Sequence, residues 1–190
     1  MSQALAAAAA GATSPAESAT SSSRRRRTLT VIAVLVVGAV LALRMFVAEP
    51  FGIPSSSMEP TLKPGDSVLV DKLAYRDATP RRGDLVVFHE PRTGDVMLKR
   101  AIAVGGDTVG IEDGVLVVNG RRPVEPYADP RAIDSVYFGP VEVRPGTVFV
   151  LGDNRGDSVD SRSFGAVPAS ALIGRVLERI WPPGRWGSPR

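Results

Sequence analysis

The chain has 190 residues, a formal net charge of +3, one histidine and no cysteine. This length allows one domain of ordinary size with short attachments, and the lack of cysteine excludes disulfide bonds, thiol catalysis and thiolate metal sites. Four consecutive arginines at positions 24–27 carry much of the basic excess. Because the remaining charge is nearly balanced, we predict no nucleic-acid-binding surface.

The N-terminal stretch is predicted to be a disordered cytoplasmic tail over residues 1–27. Its first 23 residues are mostly alanine, serine, glycine and threonine, and none is aromatic. Such a composition offers little apolar surface that could pack into a core. The tail ends with the arginine cluster.

Residues 28–48 are predicted to form a single transmembrane helix. The run is almost wholly apolar and long enough to cross a bilayer, and its one charge, Arg44, lies near the end, where it can reach the interface. A cleaved secretory signal and a buried core helix are the alternatives, although no clear small-x-small cleavage site follows at the right distance. Since the arginines precede the helix, we expect a cytoplasmic N-terminus and an extracytoplasmic remainder.

Residues 49–185 are predicted to form a mostly β domain, either antiparallel sheets or a distorted barrel. Short β-rich runs alternate with turn signals, and Asp113-Gly114 and Asn119-Gly120 are typical of two-residue hairpin turns. The proline-rich and charged stretch 120–146 is predicted to be an irregular subdomain, and residues 186–190 a C-terminal tail. The predicted strands cover residues 67–70, 84–88, 96–104, 108–112, 115–118, 147–151 and 173–180.

A lysine and a serine cluster are the candidates for chemistry. Lys99 lies in the aliphatic run 96–104, and burial there would disfavour its charged form and make it a base. The serine-rich turn 55–57 follows the apolar segment, and a serine nucleophile needs a base to take its proton. Each pattern has a plainer explanation, because such a turn can be a juxtamembrane linker and a strand lysine usually points to solvent.

The polar loop 153–162 is a third unusual segment. It could be a solvated loop, and a calcium loop is disfavoured because the alternating acidic pattern and the distal glutamate are missing.

Taken together, the segments 54–62, 65–70, 99–107 and 152–162 resemble the sequence boxes of bacterial type I signal peptidases. These are membrane-bound serine–lysine proteases that remove signal peptides from exported proteins, and the single predicted anchor resembles the Gram-positive form. The match covers residues 51–181. It departs from the family at Gly105-Gly106-Asp107, where the family commonly has Pro-Gly-Asp.

The resemblance implies roles for individual residues. Ser57 would be the nucleophile and Lys99 the general base, while the Ser55 hydroxyl and the Ser57 backbone N–H would form the oxyanion hole. Ser158 would hydrogen-bond to Lys99 and orient it. Ion pairing would hold the last loop in place through Arg100, Asp153, Asp160 and Arg162.

The implied reaction is endopeptidase cleavage through an acyl-enzyme at the outer face of the cytoplasmic membrane. Its partners would be the lipid bilayer and exported preproteins with small residues at the −1 and −3 positions, and no metal or organic cofactor would be needed.

Three other functions compete with this interpretation. A penicillin-binding or β-lactamase type needs Ser-x-x-Lys, which the chain lacks. His89 could serve as the base, although its place at a strand end favours a surface position. The domain could also bind envelope partners without catalysis. Trp181 and Trp186 are predicted to contact the membrane interface, with core packing as the alternative for Trp181.

Overall fold

The computed structural model describes residues 16–128 and 137–189 of the chain. The chain divides into two units, and the boundary falls between Arg44 and Met45. Residues 1–15 of the predicted disordered tail, and part of the predicted irregular subdomain, lie outside the described residues.

The described part of the first unit belongs to helix α1, which the structure places at Ala16–Val47 and which therefore ends just past the boundary. This helix includes residues 16–27, which belong to the predicted disordered tail. Alanine and arginine are good helix formers, and extending an existing helix is far easier than nucleating one, so the apolar run can continue back through the arginine cluster. Nine large aliphatic side chains of α1, between Leu29 and Leu41, are more than half exposed.

Within the part of the chain that the structure describes, no helix combines the length and the apolar character needed to span a membrane. The prediction of a transmembrane helix at 28–48 is therefore not confirmed.

The second unit is built from antiparallel strands in two sheets, which confirms the mostly β fold class. The order is β1-β2-β10-β3-β4-β8-β9 in the larger sheet and β6-β5-β7 in the smaller one. A short helix, α2 (Ser161–Phe164), follows the loop after β8. The strands are β1 (Ala48–Gly52), β2 (Ser67–Asp71), β3 (Leu85–His89), β4 (Val96–Val104), β5 (Thr108–Glu112), β6 (Val115–Val118), β7 (Tyr137–Glu142), β8 (Thr147–Leu151), β9 (Val167–Pro168) and β10 (Leu172–Trp181).

All seven predicted strands are confirmed, with ends that differ by at most one residue. The turn between β5 and β6 is the hairpin that the sequence predicts. Asp113 and Gly114 both have positive φ, 52° and 75°, as a type I′ turn requires.

Strands β1, β7 and β9 were not predicted. The apolar run hides β1, because it continues from the helix without a turn signal. The irregular subdomain predicted at 120–146 is wrong for Tyr137–Glu142, which pairs with β5. Because β7 lies at a sheet edge, Pro140 can occupy it without breaking a ladder between two strands.

The C-terminal segment is attached to the domain beyond the predicted limit at residue 185. Gly187 and Arg179 exchange two backbone hydrogen bonds, of 2.8 and 3.1 Å, so the predicted tail 186–190 is docked at least as far as Gly187. Trp181 and Trp186 are 56% and 68% exposed, and core packing of Trp181 is therefore excluded.

The middle of the larger sheet is covered on both faces. Four consecutive residues of β3 and six of β4 are buried, a pattern that sheets reach only when both faces are packed. Lys99 and Arg100 are neighbours in that stretch, so the sheet buries two consecutive cations that point to opposite faces. A core cluster that includes Ile53, Met58 and Leu98 lies next to the serine turn.

Candidate active site

The serine turn is fixed by residues buried on either side of it. Met58 and Leu62 are almost fully buried, and a backbone hydrogen bond of 2.9 Å joins them. A second bond of 2.9 Å, from the Glu59 N–H to the Ser56 carbonyl, closes the turn around Ser57. Ser57 itself is 8% exposed, so its hydroxyl is held close to the core.

Lys99 reaches this serine from strand β4. Its side chain is buried, as the aliphatic run predicts, and Nζ donates a 2.6 Å hydrogen bond to Ser57 Oγ. The two residues are 42 positions apart in sequence, and their neighbours Met58 and Leu98 belong to one buried core cluster. When the amine is neutral, the same contact lets it accept the serine proton.

Burial changes the acidity of Lys99. Loss of hydration lowers its pKa to about 8, against the opposing fields of Asp160 and Asp153, which favour the charged form. Arg162 adds to the lowering, and Asp157 opposes it. A lysine with this pKa holds a useful neutral fraction near physiological pH, which a free lysine does not.

Ser55 lies beside the nucleophile. The two hydroxyl oxygens of Ser55 and Ser57 are 3.2 Å apart, and Ser55 is exposed on the wall of a cleft. A donor here is close enough to interact with charge that develops near Ser57, but its predicted place in an oxyanion hole stays a prediction.

Arg100 and Asp153, two of the four residues predicted to hold the last loop by ion pairing, form a deeply buried ion pair with each other. Arg100 donates through Nε and Nη2 to the two carboxylate oxygens, at 2.8 and 2.7 Å, and the side chains are 5% and 0% exposed. The Tyr127 ring covers the guanidinium, with 3.9 Å from its centroid to Cζ. Thr61 Oγ1 donates to Asp153 Oδ2 at 2.5 Å. Every charge of this pair is therefore compensated by a partner.

The other two residues of that set, Asp160 and Arg162, also form an ion pair with each other. Arg162 donates through Nε and Nη2 to the two oxygens of Asp160, both at 2.8 Å. Asp160 is fully buried and accepts a further 3.0 Å bond from the Gly152 backbone N–H. The carboxylate therefore joins both ends of the loop 152–162.

The predicted hydrogen bond between Ser158 and Lys99 is not formed. The Ser158 hydroxyl donates instead to Asp160 Oδ2 at 2.9 Å, and a carboxylate is a stronger acceptor than an amine that is itself engaged with Ser57. The orienting role of Ser158 therefore stays a prediction without a direct contact behind it.

The loop 152–162 lies directly on the serine turn. The Asn154 N–H donates to the Ser57 carbonyl at 3.1 Å, and its side-chain Nδ2 donates to the Ser56 carbonyl at 3.2 Å. A Cβ on Gly152 would stand 2.5 Å from the Ser57 carbonyl oxygen and closer still to the Ser158 side chain. Glycine is required here because the backbone passes too close for any side chain.

Sequence reasoning missed Thr61, Tyr127 and Asn154. Asn154 lies inside the unusual polar loop 153–162, and that loop is the sequence signal for its position near the site. Thr61 and Tyr127 carry no sequence signal, because their partners are 92 and 27 residues away in the chain.

His89 is exposed, and its Nδ1 lies 3.1 Å from the Gly94 carbonyl oxygen. It is a surface residue, as expected from its strand end, and the described hydrogen bonds do not link it to Ser57. Within residues 16–128 and 137–189, no group of three or more histidine or acidic side chains could hold a metal ion.

A cleft of about 340 Å³ opens beside the serine and the lysine. One wall is formed by the end of β1, the edge strand of the larger sheet, and by the residues that follow it. The start of β4 forms another wall. The lining residues outside the serine turn are mainly apolar, and they include Phe51, Ile53, Met58, Met97 and Leu98.

Comparisons with known proteins agree on one family. The chain matches the family described as signal peptidase, peptidase S26, over residues 26–181. Signal peptidase I of Mycobacterium tuberculosis is 38% identical, across 84% of this chain and 74% of that protein. Probable signal peptidase I-1 of Synechocystis is 41% identical, across 82% and 84%. A solved signal peptidase I from Enterococcus faecalis is 31% identical, with a TM-score of 0.42 over 52% of this chain and 97% of that chain.

Proposed function

Since the chain belongs to the signal peptidase family, peptidase S26, and removes signal peptides from preproteins as a serine endopeptidase, we propose that Ser57 and Lys99 are its catalytic pair. The observation that carries this proposal is the 2.6 Å contact between Lys99 Nζ and Ser57 Oγ inside a buried site. The lowered pKa of Lys99 supports the same assignment, because a base must be neutral before it can accept a proton.

Acylation begins when neutral Lys99 takes the proton of Ser57 and Oγ attacks the scissile carbonyl carbon. The C–O bond forms, and the carbonyl oxygen becomes an anion. When this tetrahedral intermediate collapses, the C–N bond breaks and the leaving amine takes the proton from Lys99 Nζ. The products of this half-reaction are the mature protein and an ester on Ser57.

Deacylation repeats the proton transfers with water. Lys99 accepts a proton from a water molecule as its oxygen attacks the ester carbon, and the proton then returns to Ser57 Oγ as the C–O bond breaks. The signal peptide leaves with a new carboxyl group. Donors from the Ser55 hydroxyl and the Ser57 backbone N–H would stabilise the oxyanion in both halves, and the position of Ser55 beside Ser57 supports this.

Two ion pairs would fix the positions of Ser57 and Lys99 relative to each other without contacting the substrate. Arg100 and Asp153 tie β4 to the start of the loop, and Asp160 and Arg162 tie the loop to itself. Through Asp160, Ser158 would orient Lys99 indirectly.

The substrates would be exported preproteins with small side chains at the −1 and −3 positions. The apolar lining of the cleft, which includes Ile53, Met58 and Leu98, supports uncharged and apolar side chains such as alanine at these positions.

A single membrane anchor at residues 28–48 would hold the enzyme at the cytoplasmic membrane, with its N-terminus in the cytoplasm and the catalytic domain outside. The exposed aliphatic side chains of α1 support this, because apolar surface of that extent is usually covered by lipid or protein. The four arginines at positions 24–27, which directly precede the proposed anchor, support the orientation. Protease added to intact spheroplasts should digest a C-terminal tag and spare an N-terminal one, and the reverse result contradicts the orientation.

The direct test of the proposed function is cleavage of a preprotein by the purified full chain in detergent, with the product ends read by mass spectrometry. Ser57→Ala and Lys99→Ala should abolish cleavage, whereas Lys72→Ala, a change of the same kind on the surface, should not. Cleavage that persists in either of the first two variants would show that the catalytic pair is elsewhere.

A further inference from the structure

Two acidic side chains line the catalytic cleft and have no part in the proposed proton transfers. Asp157 belongs to the short turn Arg155–Asp157, and Asp95 stands just before strand β4. Lys99, engaged with Ser57, is the one cation that lines the same cleft among the residues that the structure describes. The walls of the cleft therefore carry an excess of negative charge.

The carboxylate of Asp157 is hydrogen-bonded to Ser56, the residue that precedes the proposed nucleophile Ser57. Its Oδ2 accepts a 2.5 Å hydrogen bond from Ser56 Oγ, and this fixes the charge at the mouth of the cleft. The field of Asp157 reaches the reacting groups, since it is one of the charges that act on Lys99. A cation on a bound peptide near Ser57 would experience the same field.

Asp95 lies on the wall that β4 begins, next to Val96 and Met97. Its Oδ2 accepts a 2.8 Å hydrogen bond from Thr93 Oγ1, a neutral donor, so this contact leaves the negative charge uncompensated. Over residues 16–128 and 137–189, neither Asp95 nor Asp157 forms an ion pair with lysine or arginine. Both carboxylates are exposed and available to a ligand.

We propose that Asp95 and Asp157 are specificity-determining residues, which make the cleft favour peptides with a lysine or arginine just after the scissile bond, on the mature-protein side, and disfavour peptides with an acidic residue there. The inference rests on the proposed role of Ser57 and Lys99, because it takes this cleft to be the substrate site. The two carboxylates would act on the bound peptide next to the reacting carbonyl, where they attract a cationic side chain and repel an anionic one. Both effects increase the ratio of kcat/KM for a cationic peptide to kcat/KM for an acidic peptide.

The test compares peptides that contain one cleavage sequence, with alanine kept at −1 and −3, and differ by lysine, glutamine or glutamate at the +1 position alone. At low salt, the purified full chain should show a kcat/KM for the lysine peptide that exceeds that of the glutamine peptide by about fivefold, the effect of one charge pair near 4 Å in water. Because attraction and repulsion combine, the ratio of the lysine to the glutamate peptide should be about 25-fold. Asp95→Asn and Asp157→Asn should each reduce this ratio, and the double variant should bring it close to one. Added salt should reduce the wild-type ratio as well.

Two further variants separate charge from structure. Asp77→Asn removes an exposed carboxylate that does not line the cleft, so it should leave the ratio and the turnover unchanged. Ser56→Ala removes the hydrogen bond to Asp157 but keeps its charge, so the preference for lysine should survive. A double variant that retains the wild-type ratio, or a wild-type enzyme with no preference, overturns the inference. Cleavage by Ser57→Ala overturns the proposed function instead, and the two failures are therefore distinct.

Discussion

Two regions of the larger sheet each hold a lysine near an acidic residue, and they differ in their access to water. At the edge, Lys72 Nζ lies 2.9 Å from Glu49 Oε2, with side chains 36% and 59% exposed. In the centre, Lys99 is 5% exposed and contacts Ser57, next to the buried pair of Arg100 and Asp153. Lys72 follows the end of β2, whereas Lys99 stands inside β4 and is withdrawn from water, and this desolvation is what can turn a lysine into a base.

The largest effect that separates the two regions is expected from replacing each lysine by arginine. A guanidinium cannot lose its proton under these conditions, so Lys99→Arg should be as inactive as Lys99→Ala, while Lys72→Arg keeps its surface ion pair and nearly full activity. Preprotein cleavage by purified variants measures both. Appreciable turnover by Lys99→Arg would contradict a lysine base.

The two acidic partners should differ in stability. Asp153→Asn leaves Arg100 buried without a counter-ion and should lower the free energy of unfolding by about 3–5 kcal/mol. Glu49→Gln removes an exposed partner and should change it by less than about 1 kcal/mol. Denaturant unfolding of both variants gives the two values. If both variants lost the same free energy of unfolding, the buried pair of Arg100 and Asp153 would contribute no more to stability than the exposed pair of Lys72 and Glu49.

The comparison can be sharpened inside the site, where Ser55 is exposed and Ser57 is not. Ser55→Ala should keep the fold and the ion pairs and reduce turnover by about 10²–10³, the usual cost of one oxyanion donor. The measurement is kcat on a preprotein, with circular dichroism as the check on folding. Full activity in this variant would place the oxyanion hole elsewhere.

The smallest expected effect is a dependence on pH. The pKa of Lys99 is lowered to about 8, so its neutral form, and with it the activity, should rise as pH increases through about 8. At pH 7 about a tenth of the enzyme would hold a neutral base, which gives roughly a tenfold increase to the plateau. His89→Ala should leave this profile unchanged, and a shift of the midpoint towards 6.5 in the wild type would indicate a histidine instead.

The sequence was informative wherever a residue type was unusual for its surroundings. Lysine within an aliphatic run predicted a buried amine, and turn dipeptides between β-rich runs predicted most of the strands. The choice of Ser57 among three serines came from the family resemblance alone. The structure then added Lys99 as its neighbour in space, a contact that no local pattern encodes.

The remainder depends on contacts between distant segments. Thr61 hydrogen-bonds to Asp153, which is 92 residues away in the chain, and Tyr127, in the segment that follows β6, covers the Arg100 guanidinium. The predicted contact of Ser158 with Lys99 failed for a related reason, because Asp160 competes for the same hydroxyl. Strand β7 was missed because Gly139-Pro140 looks like a turn until its place at a sheet edge is known.

The pairing of β3 with β4 has a consequence for the protonation state of the enzyme. Lys99 stands opposite Val86 and Arg100 opposite Leu85, so the two cations occupy adjacent rungs of one ladder. Sliding β4 by one rung would exchange the faces of all its side chains and present a guanidinium to Ser57. The register of β4 against β3 therefore determines whether Ser57 faces Lys99, which can release its proton, or Arg100, which cannot. A misaligned ladder could keep all its backbone hydrogen bonds and still leave the serine without a base.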